Sequence, residues 1–224
     1  MDTTAPNPAI AQAMAAVAAG VAKAESDPRR PRYHFLPPAH WMNDPNGTIY
    51  HNGYYHLFYQ HNPYADVWDH MHWGHARSRD LVHWEHLPIA LWPSTELGES
   101  HCFSGCAAVT GDGQPILIYT QVGPGDRAEW QANAQWAALG DPDWITWRKH
   151  PQNPALSLQT HGGPAFERDW RDPYLFQAEG RTGHIATCSI PSRATKRAFW
   201  NVPTSSNRAT SGCCSPPPTG LWSM

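Results

Sequence analysis

Two aspartates stand directly before proline with a tryptophan just upstream. One is Asp44, in His40-Trp41-Met42-Asn43-Asp44-Pro45-Asn46-Gly47, and the other is Asp172, in Trp170-Arg171-Asp172-Pro173. Asp-Pro and Asn-Gly pairs favour tight turns. A carboxylate held rigidly where such a turn meets a strand is how a protein presents an oxygen nucleophile. Arg171 beside Asp172 favours the ionised form of that carboxyl. Either segment alone is a common turn, but two of them opening corresponding strands carry more weight. His70-Met71-His72-Trp73-Gly74-His75 offers three imidazoles that could ligate a metal. No fourth ligand or known zinc spacing accompanies them, so no metal is expected, and the imidazoles should bond one another or water. Cys102 and Cys106 bracket Phe103-Ser104 and read as small packing residues.

The elements that must position these residues read as antiparallel strands. Thr48-Ile49-Tyr50 and Tyr54 to Tyr59 flank Asn52-Gly53, a hairpin turn pair. Ala107 to Thr110 and Ile116 to Thr120 repeat the arrangement around Gly111-Asp112-Gly113. A third instance starts at Tyr174-Leu175-Phe176, with a turn at Glu179-Gly180. Asp80 to Trp84 and Asp143 to Trp147 share an Asp-x-x-x-Trp spacing, which suggests the blades of a propeller. Ahead of the strands, Ala9 to Ser26 is Ala-rich, with Ile10, Met14, Val17 and Val21 near helical spacing, and reads as a short helix.

The 224 residues hold one ordinary domain or two very small ones. With 41% hydrophobic residues a packed core is feasible, and with 16% charged residues and a net charge of −3 a basic nucleic-acid surface or polybasic membrane patch is excluded as the main theme. Nothing in the sequence approaches the apolar length of a membrane span. Twelve Trp and eight Tyr suit both strands and a surface that stacks on sugar rings. Asp2 precedes any positive charge and the first apolar stretch is mostly Ala, a poor fit to a secretory signal, so the default expectation is a cytoplasmic protein. An odd cysteine number gives no support for disulfides.

Trp41-Met42-Asn43-Asp44-Pro45-Asn46-Gly47 resembles the signature of glycoside hydrolase family 32, the β-fructofuranosidases: invertases, sucrose-6-phosphate hydrolases, inulinases and levanases. Further similar segments follow in the family's order: Tyr59-Gln60-His61-Asn62-Pro63, Trp73-Gly74-His75-Ala76, Ser78 to Trp84, Phe103-Ser104-Gly105 and Arg171-Asp172-Pro173. The resemblance runs from about Tyr33 to Gln177. It implies an all-β, five-bladed propeller with a funnel-shaped sugar site, of which the first two to three blades are present. It also implies that Asp44 is the nucleophile and Asp172 the transition-state stabiliser, with Asn43, Gln60, Trp68, Phe103, Ser104 and Arg171 lining the fructosyl pocket. The reaction implied is retaining hydrolysis through a fructosyl-enzyme, with two carboxyls about 5–5.5 Å apart and no cofactor. The partner would be a small sugar, with neither nucleic acid nor membrane: sucrose, sucrose 6-phosphate or a fructan.

One departure from the family is specific. Its general acid/base is a Glu in a Glu-Cys-Pro-type segment after Arg-Asp-Pro, and this sequence has no Asp or Glu beyond Glu179. The same tail holds Arg181, Arg193, Lys196, Arg197 and Arg208, three of the five cysteines and no sustained period. Suitable codons for Trp200 to Ser206, read two bases later, give Glu-Cys-Pro-Asn-Phe-Phe. The expectation is therefore a frame shift between Arg181 and His184, with residues 1–31 an extension, 32–182 the partial propeller and 183–224 an out-of-frame or disordered tail. A chain made as written would be poorly soluble and hydrolyse sucrose negligibly. The alternative reading is a non-catalytic sugar-binding fragment or pseudogene product. An arabinose- or xylose-directed propeller glycosidase is disfavoured by the signature itself.

Overall fold

The computed structural model describes residues 7–124, 134–157, 170–178, 181–187 and 199–201. Helix α1 (Pro8–Ser26) begins where the Asn7 side chain accepts a hydrogen bond from the Ala9 N–H, with Pro8 in the first turn. Its stripe of Ala13 and Val17, flanked by Ile10 and Met14, is buried against Ile89. No helix among the described residues is long and apolar enough to cross a membrane.

The strands follow as meanders. Blade 1 is β1 (Trp41–His51), β2 (Tyr54–Asn62), β3 (His72–Ser78) and β4 (Trp84–Leu91), hydrogen-bonded in that order. Blade 2 is β5 (His101–Val109), β6 (Pro115–Val122), β7 (Ala134–Gly140) and β8 (Trp147–Lys149), with short β9 (Leu156–Ser157) also on β7. The third sheet is β10 (Pro173–Ala178), β11 (Arg181–Thr187) and β12 (Phe199–Asn201). All neighbours are antiparallel, as the all-β reading expects. The expected tail overlaps β11 and β12. Its other residues, and the Glu179-Gly180 turn, lie outside the described residues.

Local chemistry sets these elements. Asn52 (φ 46°) and Gly53 (φ 81°) form the two central positions of the first hairpin, the geometry whose twist matches paired strands. The Asp-x-x-x-Trp repeat marks the same place in both blades, the link from third to fourth strand. Leu81 (φ 63°) and Trp144 (φ 60°), each just after the Asp, both take the left-handed conformation, and Trp84 and Trp147 each open the fourth strand. The carboxylate that satisfies the link's N–H groups differs. Asp80 accepts from Val82 and His83, whereas Asp141 accepts from Ile145 and Thr146.

The core fills the seam between the blades. All eight residues of β6 are buried. Phe58 and Trp73 from blade 1 pack with Leu117, Tyr119, Trp136, Trp144 and Trp147 from blade 2. Each such side chain contributes about 1.5–3 kcal/mol on burial. Across the seam the Lys149 ammonium meets the Glu99 carboxylate and donates to the Trp92 carbonyl, and both side chains are almost fully buried. Cys102 and Cys106 are buried and unbridged, in line with a packing role. Burial pushes the Cys106 thiol up to about 12, and its sulfur accepts from the Leu175 N–H.

Candidate active site

The Asp44 segment makes a bulge, where the sequence suggested a turn at the start of a strand. Asn43 and Asp44 together oppose the single residue Gln60 of β2. A second irregularity follows at Asn46 to Ile49, with Gly47 at φ 53°. A Cβ on Gly47 would meet the Phe58 ring at 2.9 Å, so both the conformation and the space require glycine. Pro45 is tolerated because a bulge breaks the ladder that its missing N–H would have joined.

Blade 2 repeats the device. Phe103 and Ser104 of β5 together oppose Thr120 of β6, through the same one-residue bulge. In the third sheet Asp172 (φ 59°) sits immediately before β10. The three candidate segments thus occupy equivalent positions at the start of the first strand of successive blades. That is why residues so distant in sequence share one end of the molecule.

Hydrogen bonds join them. Trp41 Nε1 donates to Asn43 Oδ1 (2.8 Å), and Asn43 Nδ2 donates to Gln60 Oε1 (2.8 Å). Gln60 Nε2 donates to Ser104 Oγ (3.1 Å), and Ser104 Oγ donates to Asp44 Oδ2 (2.8 Å). All four donors point the same way, so each bond polarises the next and the series ends on the carboxylate. Asp44 is exposed, and among the described residues its Oδ1 accepts no hydrogen bond. The arrangement fixes one oxygen and presents the other.

Asp172 is held by a second set. Its N–H donates to Thr120 Oγ1 (2.9 Å), and that hydroxyl donates to Gln135 Oε1 (2.8 Å). Gln135 Nε2 donates to the Trp170 carbonyl, so both ends of Trp170-Arg171-Asp172 are anchored on buried groups. Arg171 Nε lies 3.5 Å from Asp172 Oδ2, both half exposed. Sequence reasoning missed Thr120 and Gln135. Leu57-Phe58-Tyr59-Gln60 and Leu117-Ile118-Tyr119-Thr120 align residue for residue, and that internal match would have placed Thr120 beside Gln60.

Trp68 and Phe103 form an aromatic wall, their rings 5.9 Å apart edge to face, with His101 stacked on Trp68. Trp73 lies beneath this wall, fully buried, and donates to the Phe103 carbonyl (3.1 Å). The histidines at 70, 72 and 75 do not converge. His72 Nδ1 meets the His70 carbonyl, and His75 Nε2 meets His56 Nδ1 at 3.0 Å. His72 and His75 are also three apart on one strand, so they point to opposite faces. Burial depresses the imidazoles of this blade: His56 and His61 to about 4 and His72 to about 3.

The model of the glycosyl hydrolases family 32 N-terminal domain matches residues 34–201. The chain belongs to glycoside hydrolase family 32. Its blades are accordingly part of the five-bladed propeller of family 32. Beta-fructofuranosidase 1 of Zea mays is 44% identical over 145 residues, covering 65% of this chain and 21% of that protein. Levanase of Bacillus subtilis is 44% identical over 160 residues, covering 67% and 21%. Among solved structures, a mutant of the family 32 beta-fructofuranosidase BmSUC1 of Bombyx mori, in complex with sucrose, aligns at 40% identity with a TM-score of 0.68. That alignment covers 83% of this chain and 38% of the other. The chain thus spans about a fifth of the length of the two sequence relatives.

Proposed function

We propose that this chain carries the fructosyl-binding part of a retaining β-fructofuranosidase acting on sucrose or fructans. The observation that carries the proposal is the donor series ending on Asp44 Oδ2. It leaves Oδ1 as the attacking atom, on an exposed carboxylate at the start of a blade. Asp44 Oδ1 attacks the anomeric carbon of the fructosyl unit as the bond to the leaving oxygen breaks. A fructosyl ester forms, and water later displaces it with a second inversion. Asp172, anchored at its own N–H and flanked by Arg171, accepts hydrogen bonds from fructosyl hydroxyls as the ring flattens. Gln60, Asn43 and Ser104 set the orientation of Asp44, and Trp68 and Phe103 wall the pocket. The names and complexes of the relatives support this choice of substrates.

Departure of the glucosyl oxygen needs a proton donor. The sequence supplies no carboxyl beyond Glu179 where the family places its acid/base Glu. The chain as given therefore binds fructose and hydrolyses sucrose negligibly, so a sugar-binding role stands beside the catalytic ancestry. The test is intact-mass analysis after incubation with sucrose and with 4-nitrophenyl β-D-fructofuranoside, whose leaving group departs without a proton. A hexosyl adduct from the aryl fructoside alone, abolished by Asp44→Ala, is the expected result. Sucrose turnover at the rate of an ordinary invertase would refute the inactivity. No adduct, together with no fructose binding, would refute the assignment of the site.

A further inference from the structure

Helix α1 lies wholly before residue 34, where the family match begins, yet it is fastened to the signature strand through His40. His40 immediately precedes β1 and takes the left-handed conformation, with φ 69°. That conformation is uncommon outside glycine and persists where the surroundings over-determine it. Here two neighbours hold the ring. On one side α1 comes so close that a Cβ on Gly20 would meet His40 Nε2 at 2.6 Å. On the other, His40 Nδ1 meets Asp66 Oδ1 at 2.9 Å. Asp66 Oδ2 accepts from Lys23 Nζ of α1 at 3.0 Å. One carboxylate is thus shared between the helix and the residue that leads into β1. The His40 contact, and then the Lys23 ammonium, hold the Asp66 carboxyl below the usual carboxylate range.

Two indoles of the sugar site are joined by this bridge. Trp41 follows His40 directly, and its indole N–H is the first donor of the series that ends on Asp44. Asp66 lies in the loop between β2 and β3, two residues before Trp68 of the pocket wall. The loop backbone is sewn to the same strands. The Trp41 N–H donates to the Ala65 carbonyl (3.2 Å), and Asn62 Nδ2 donates to the Val67 carbonyl (2.9 Å). Asn62 Oδ1 accepts from the Tyr64 N–H (3.0 Å). Asp66, between the two pinned carbonyls, carries the tie to His40 and α1. The Lys23 pair is exposed and adds little stability by itself. The His40 side chain is only 15% exposed, so its contact is the firmer half of the bridge. Small displacements matter here, since misplacing a reacting group by about 1 Å costs up to about a hundredfold in rate.

We propose that Asp66 is a positioning residue for the fructosyl site, bridging α1 and His40 so that Trp41 and Trp68 are set together. The helix ahead of the family match then serves the site as well as the core. This role rests on the fructosyl-site reading above, so one readout uses no sugar. In the full chain labelled with 5-fluorotryptophan, Trp41→Phe and Trp68→Phe assign two fluorine NMR signals. Both should move or broaden in Asp66→Ala, while the signal of Trp144, buried in the link between β7 and β8, stays in place. Adduct formation from saturating 4-nitrophenyl β-D-fructofuranoside should slow about tenfold in the same variant. Fructose affinity should fall less, by about threefold. Asp66→Asn, which can accept from Lys23 and donate to His40, should restore most of the rate. Lys23→Ala removes a side chain that is 81% exposed, so it keeps the test open should Asp66→Ala fold poorly. It should slow the adduct in the same direction by a smaller factor. An unchanged adduct rate, a loss confined to urea stability, or fluorine signals that stay where they are would overturn the role of Asp66 and leave the site standing. A parent chain that neither binds fructose nor forms the adduct would refute the site and this role with it, whatever the fluorine signals do.

Discussion

Acid should loosen the strand that carries the nucleophile, and His61 gives the size of the effect. Its ring is 1% exposed, and its Nδ1 meets the Trp41 carbonyl at 2.8 Å, at the head of the bulged strand. Burial outweighs that bond and depresses the imidazole from 6.5 to about 4. Between those values the unfolded chain binds a proton that the folded chain does not, so stability rises with pH across the window. The contribution is full above the unfolded value and is lost as pH falls toward the folded one. From pH 7.5 to 4.5 His61 alone costs about 2.5 kcal/mol, since one unit of displacement is worth about 1.4 kcal/mol. Urea unfolding followed by Trp fluorescence at several pH values measures it. His61→Asn, which retains an N–H donor for the Trp41 carbonyl and does not titrate, should flatten the slope by about that amount. A stability that is level from pH 7.5 to 4.5, or an unchanged slope in the variant, would refute the reasoning.

Three further outcomes follow from the geometry. Ser104→Ala and Gln60→Leu should each weaken fructose binding, and the double variant should be little worse than either, with a coupling of about 1 kcal/mol or more; calorimetric additivity would contradict a connected donor series. Thr120→Val removes one hydroxyl that both accepts from Asp172 and donates to Gln135. It should cost about 1–3 kcal/mol in urea unfolding and weaken fructose binding, although no sugar contact is assigned to it. Lys149→Met strands the Glu99 carboxylate in the seam and should destabilise by about 3–5 kcal/mol, much of it restored by adding Glu99→Gln.

The local parts of this fold were legible because they depend on few residues. Asn52-Gly53 specifies a hairpin by backbone conformation alone, and the apolar stripe of α1 needs only the helical period. The blade repeat showed through Asp80 to Trp84 and Asp143 to Trp147 because a left-handed link and a packed Trp recur there. The candidate site was legible mainly through resemblance, since Asp44 and Asp172 are individually ordinary. What escaped was made by pairing across the seam. Glu99 and Lys149 are both charged residues that sequence reasoning would leave at the surface. They are buried because Trp92, Tyr119 and Trp136 close around the ammonium group. The bulge at Asn43-Asp44 escaped as well, because Asp-Pro and Asn-Gly favour a turn until a neighbouring strand supplies a register to break.

The two bulge partners give the ring a direction. Gln60 sits in the first blade and reaches Ser104 in the second; Thr120 sits in the second and receives the N–H of Asp172 from the third. In these two blades the second strand therefore also steers the working residues of its successor. A substitution there should register one blade downstream as well as at its own address, so blades shuffled between relatives would transfer a site residue without its guide. The unit that must be inherited intact is the seam, which no single blade contains.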